Sequence, residues 1–245
     1  MSGSSLTIGL RIFGALKSDV LSVRLLPNER LNIEALSDRY KVSLSPLREA
    51  LVKLSATGLV VATDRKGYRV AGLSRADLRD IGHTRRHLER AALTDAMKHG
   101  DDEWEANIAG ALHVLSKATQ FEAGRPVYSL DWEKRHKAFH RSLVIACGSP
   151  RLMTMWENIF DQGIRYRQIA QALGLDHGDS AAEHAELFDL VTARKVKPAI
   201  ECMEAHVGVA VRILIDTMDE EMVKCAGRVA ALSGADTGRN TEAFA

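Results

Sequence analysis

Residues 42–70 read VSLSPLREALVKLSATGLVVATDRKGYRV, and a change of period inside this stretch decides the fold. Leu47, Leu51 and Leu54 recur at spacings of four and three, the buried stripe of a helix over about 44–57. Ser43 is the expected N-cap, Pro46 falls in the first turn where a missing N–H is harmless, and Gly58 ends the helix. Beyond it, Leu59-Val60-Val61 and Tyr68-Arg69-Val70 are β-rich and flank Asp64-Arg65-Lys66-Gly67, which predicts a hairpin with a basic tip. Upstream, a short helix over 33–40 buries Ile33 and Leu36. Leu26-Pro27-Asn28-Glu29 is a turn, and apolar residues from Leu6 to Val20 predict a helix over 6–22.

A short helix, a tight turn, a second helix and a basic hairpin form a winged helix-turn-helix. In that arrangement the first helix braces the second, whose N-terminal end enters the major groove. Ser43, Ser45 and Arg48 then stand where they reach phosphates or base edges, and Arg65 and Lys66 on the wing meet the adjoining backbone. The same pattern also describes an ordinary helical hairpin with solvated charges. Charge favours the first reading: residues 1–75 hold 12 Lys/Arg against 6 Asp/Glu, although the whole chain of 245 residues carries only +1.

From Ser74 onward long helices are expected, at about 75–99, 102–122, 127–147, 150–173, 179–194 and 197–224. Ser74-Arg75-Ala76-Asp77 resembles a capping box, and Ser149-Pro150 is an N-cap followed by proline. The expected fold is mainly α, with a winged helix-turn-helix and small β-hairpin wing over 1–73 and an all-helical bundle over 74–225. Residues 226–245, rich in small and polar types, are expected to form a disordered tail. No apolar run approaches the roughly 20 residues that span a bilayer, and the N-terminus lacks a secretory pattern. A cytoplasmic protein with no membrane partner is therefore expected. Cys147, Cys202 and Cys225 are far apart, with no C-x-x-C pair.

Four of the nine histidines fall on apolar helix faces. His136 and His140 are four apart within Trp132, His136, Phe139, His140 and Leu143. His184 precedes Leu187, Phe188 and Val191, and His206 sits among Met203, Val207 and Ala210. Such rings either converge on a divalent transition metal, with Zn, Ni or Mn as candidates, or serve as hydrogen-bonded core residues.

Taken together, Leu26-Pro-Asn-Glu-Arg-Leu, Val42-Ser-Leu-Ser-Pro-Leu-Arg-Glu-Ala-Leu, Gly58-Leu-Val and Lys66-Gly-Tyr-Arg-Val resemble the GntR family of bacterial regulators. Ser43, Ser45, Pro46, Arg48 and Gly67 match the family pattern, whereas Leu44 stands where the family commonly has Arg. Arg135-His-Lys-Ala-Phe-His-Arg-Ser-Leu, followed by Gly148-Ser-Pro-Arg-Leu, resembles the FadR-type C-terminal domain, or FCD. Glu183-His184, Ala205-His206 and Thr84-Arg-Arg-His-Leu-Glu resemble its other elements.

The resemblance implies a metal held by His136, His140, His184 and His206, with His136 replacing a commoner Asp. That replacement weakens preference for hard, oxygen-loving ions. It further implies a small carboxylate effector near the metal. Arg85 is the candidate partner for it, with Arg165 and Tyr166 as secondary candidates. The expected protein is a ligand-responsive regulator that binds a palindromic double-stranded DNA operator as a homodimer. The alternative is a metal-dependent enzyme on the four-histidine bundle, although H-E-x-x-H, G-x-S-x-G and a Gly-rich phosphate loop are all absent.

Overall fold

The computed structural model describes residues 2–63, 67–174 and 180–217. The chain divides into two compact units at Leu73/Ser74, and each is described by itself. Arg65, Lys66 and the expected tail at 226–245 lie outside the described residues.

The first unit runs α1 (Ser2–Leu21), β1 (Arg30–Leu31), α2 (Ile33–Tyr40), α3 (Leu44–Ala56), β2 (Val60–Thr63) and β3 (Gly67–Val70). Asn32 caps α2 by accepting from the Ala35 N–H, and Lys41 ends it in a left-handed conformation (φ 54°, ψ 48°) that turns the chain into α3. Ser43 holds the N-cap position of α3 with extended backbone, but its side chain makes no capping bond. Leu47, Leu51 and Leu54 are fully buried against Ile12, Leu16 and Val20 of α1 and Val60 and Val70 of the wing. The Tyr40 hydroxyl donates to Asp19 at 2.5 Å, tying α2 to α1. Burial and this bond push the Tyr40 phenol well above its usual pKa.

β3 is central in an antiparallel sheet of order β1-β3-β2, with Arg30 opposite Arg69 and Val61 opposite Arg69 on its other side. The two-residue β1 is absent from the sequence reading, because a segment this short is a strand only through its partner.

The second unit is built from helices: α4 (Arg75–His99), α5 (Asp102–Ser116), α6 (Leu130–Val144), a 3₁₀ turn (Ile145–Cys147), α7 (Pro150–Ala172), α8 (Ser180–Thr192) and α9 (Val196–Thr217). α4 packs on α7 and α9, α5 on α6, and α8 on α9. Two helices are shorter than expected. α5 stops at Ser116, and α6 begins only at Leu130, capped by Ser129, which accepts from the Trp132 N–H. Between them the chain loops back on itself through a Phe121–Tyr128 bridge. The Gln168 amide of α7 pairs with both backbone groups of Tyr128 (2.9 and 3.2 Å), so a buried side chain does the work of a strand there.

The Ser74 side chain caps α4, accepting from the Asp77 N–H at 3.1 Å. Asp77 does not complete a capping box, because its carboxylate accepts from the Tyr166 hydroxyl at 2.6 Å. That hydroxyl in turn accepts from the Ser74 N–H at 3.1 Å. Tyr166 therefore satisfies the backbone donor that a glutamate would otherwise reach.

Candidate functional site

Helical spacing puts His136 and His140 one above the other on α6, facing α8 and α9. The His140 Nε2 lies 3.0 Å from His136 Nε2 and 3.3 Å from His184 Nε2. Each of the four histidines offers a ring nitrogen, and these atoms all fall within 4.8 Å of one another. For comparison, two imidazoles on a tetrahedral ion with bonds of about 2.0–2.1 Å sit roughly 3.3 Å apart.

Burial, then repulsion from the neighbouring histidines and from Arg167 or Arg85, holds His136 and His140 well below the ordinary imidazole pKa. The same causes push His184 down to about 3. Neutral rings with converging lone pairs suit a cation far better than one another. The Nδ1 atoms of His136 and His140 are buried without a hydrogen-bond partner.

His206 is oriented from outside the cluster. Its Nδ1 lies 2.6 Å from the Glu183 carboxylate, an arrangement that fixes the ring and leaves Nε2 for coordination. Glu183 adjoins His184 in sequence but points to another face of α8, and so reaches α9. The sequence places Glu183 only beside His184 and gives no sign of its contact with His206. The four nitrogen donors fit a borderline ion such as Zn or Ni better than Mn, which prefers oxygen.

Beside the histidines is a cavity of about 70 Å³, lined by His136, His206 and Glu183 together with Arg85, Trp132, Tyr166 and Arg167. Tyr128, Trp132 and His136 stack at successive centroid separations of 4.6 Å and form one wall. Arg85 is buried and its Nε donates to Glu89 at 2.7 Å, while Nη2 has no partner. Burial pulls its guanidinium below the ordinary pKa, against the opposing pull of Glu89. Its Cζ stands 4.4 Å from the centre of the Phe160 ring, and that of Arg167 stands 5.2 Å from it.

Tyr166 lines the cavity although its hydroxyl is engaged at the start of α4. Arg165 is buried but is not among the lining residues. Arg167, which the sequence reading did not single out, takes that place and donates to Glu133 at 2.6 Å. Its signal was the spacing Phe160, Gly163, Arg167, which continues the inner face of α7.

In the first unit Ser43, Ser45 and Arg48 are exposed at the start of α3, beside the half-buried Pro46. Gly67 opens β3, where a Cβ would come within 3.0 Å of the Thr63 hydroxyl.

Residues 9–70 match the model of the bacterial regulatory proteins of the gntR family, and residues 80–209 match the FCD domain. The HTH-type transcriptional repressor GlaR of Escherichia coli (strain K12) is 36% identical over 207 residues, 83% of this chain and 94% of GlaR. The HTH-type transcriptional regulator BphR of Paraburkholderia xenovorans (strain LB400) is 32% identical, over 82% of this chain and 83% of its own. Among solved structures, E. coli McbR/YncC shares the fold with a TM-score of 0.71 at 19% identity, covering 86% of this chain and 99% of that one. GlaR and BphR are both HTH-type transcriptional regulators, and the enzymatic alternative falls away. The chain belongs to the GntR family of bacterial transcriptional regulators and carries an FCD domain after its DNA-binding helix-turn-helix.

Proposed function

We propose that the protein is a ligand-responsive regulator that binds a palindromic operator as a homodimer. Its DNA affinity is set by a small organic acid held beside a divalent ion, Zn or Ni, in the helical unit. The observation carrying this reading is the juxtaposition of four converging imidazoles with a cavity into which Arg85 and Arg167 project. A bound divalent ion would supply positive charge, and a carboxylate oxygen would reach it by adding to the four imidazoles as a further ligand.

The chain's own residues do the rest. Glu183 holds the His206 ring in place, and the unpartnered Nη2 of Arg85 is a buried donor for an acid that loses its hydration on entry. Trp132 and Tyr128 offer a flat apolar wall for the body of the acid. Two recognition helices on two half-sites account for dimeric, palindromic binding. Residues 1–73 are the DNA-binding domain, 74–225 the sensing and dimerising one, and the location is cytoplasmic.

The test is to challenge the zinc-loaded protein–operator complex with a panel of small organic carboxylates. At least one acid is expected to change operator affinity by about 5- to 150-fold, the usual range of coupling between sites. The effect should vanish after chelation. A complex indifferent to every acid, with zinc and without it, contradicts the sensory reading.

A further inference from the structure

We propose that Leu44 reads a thymine methyl group in each operator half-site. The inference rests on the reading that α3 enters the major groove. Leu44 is the first residue of α3 and is 42% exposed, whereas the leucines that hold the same helix to its unit, Leu47, Leu51 and Leu54, are completely buried. It does not pack into the core, and it lies at the end of the helix that enters a groove. With Ser45, Arg48, Glu49, Val52 and Lys53 it lines a shallow depression on the outer face of α3. Val52, two turns along, is also exposed, at 58%.

An aliphatic side chain offers a base pair no hydrogen bond. The thymine C5-methyl is the one apolar group on the base edges in the major groove, so it is the favourable partner for leucine. Facing guanine or adenine instead, Leu44 would strip water from N7 and O6 or N6 without replacing their hydrogen bonds, which costs free energy. Discrimination therefore works in both directions. The adjacent Ser45 hydroxyl and Arg48 guanidinium remain available for phosphate and polar base edges and fix the helix over that base pair. Arginine at position 44 would favour guanine through O6 and N7, so leucine there changes the base that is read.

The experiment uses the full-length chain and removes the methyl group alone. Duplexes are selected from a random pool by the wild-type protein, and each thymine of the selected site is then replaced singly by deoxyuridine. At one symmetry-related position, uracil is expected to weaken wild-type binding about fourfold per half-site, the value of one buried methyl group. The same replacement should make no difference to Leu44→Ala. Selection repeated with Leu44→Arg should return guanine at that position. Because Leu44 is outside the core, the thermal midpoints of both variants should match the wild type, which separates lost reading from lost folding. A selected site at which no uracil replacement distinguishes the wild type from Leu44→Ala overturns the proposal. A pool with no enriched sequence overturns the DNA-reading function itself, and the proposal with it.

Discussion

A His140→Ala variant is expected to bind zinc more than about 100-fold more weakly than the wild type, since even residues that only support a metal ligand typically cost 10- to 100-fold. His140 is at the centre of the cluster. It is wholly buried, its Nε2 faces those of His136 and His184, and its ring stacks on His206 with centroids 5.1 Å apart. Removing it takes away a donor and leaves a gap between the remaining three. Calorimetric titration of chelator-stripped protein measures the loss directly.

Melting provides a second readout. An ion that binds the folded state alone stabilises it by about 4 kcal/mol at a thousand times its dissociation constant. Chelation should therefore lower the thermal midpoint of the wild type and leave that of His140→Ala unchanged. Equal zinc affinity in the two proteins would show that the cluster is a packed histidine core and not a metal centre.

The second large effect is expected at Arg85. Replacing it with Met keeps the stem and removes the guanidinium, so Glu89 at 1% exposure retains only the Trp156 Nε1, at 3.3 Å. Its Oε2 already has no partner. Breaking a buried pair from one side costs about 3–5 kcal/mol, because an uncompensated charge stays behind. Denaturant unfolding of Arg85→Met should show a loss of that size. The double variant Arg85→Met/Glu89→Leu, which removes both charges, should recover most of it. A loss in the single variant no larger than that of an exposed ion pair, about 1 kcal/mol or less, would mean that water reaches Glu89 freely and that the pair is not shielded from solvent.

The difference between what the sequence disclosed and what it concealed follows the range of the interactions. Leu47, Leu51 and Leu54 announce α3 because helix periodicity is local, and Ser149-Pro150 announces α7 for the same reason. His136 and His140 were legible as a pair because one turn of helix brings them together. Whether His184 and His206 joined them depended on how α8 and α9 pack, which spacing alone does not encode.

The features that were missed are all non-local. β1 exists because Arg30 and Leu31 find Arg69 and Tyr68. The loop before α6 is held by Gln168, forty residues away from Tyr128. Asp77 looked like half of a capping box, but Tyr166 from α7 intervenes. Arg167 and Glu183 earn their places only once α7, α8 and α9 stand around one cavity. On α7, the sequence favoured Arg165 over Arg167, two positions and about 200° apart on a helix, and only the packing separates them.

Whether the protein reads DNA sequence is tested by a fluorescence anisotropy titration of the full-length chain on two labelled duplexes at one salt concentration. One is the selected site and the other has the same bases in scrambled order. Phosphate attraction alone binds both equally and weakens with salt, so only the ratio of affinities reports reading of sequence. The selected duplex is expected to bind at least about a thousandfold more tightly, the lower end of the range for specific regulators. Equal affinities for the two would contradict that expectation.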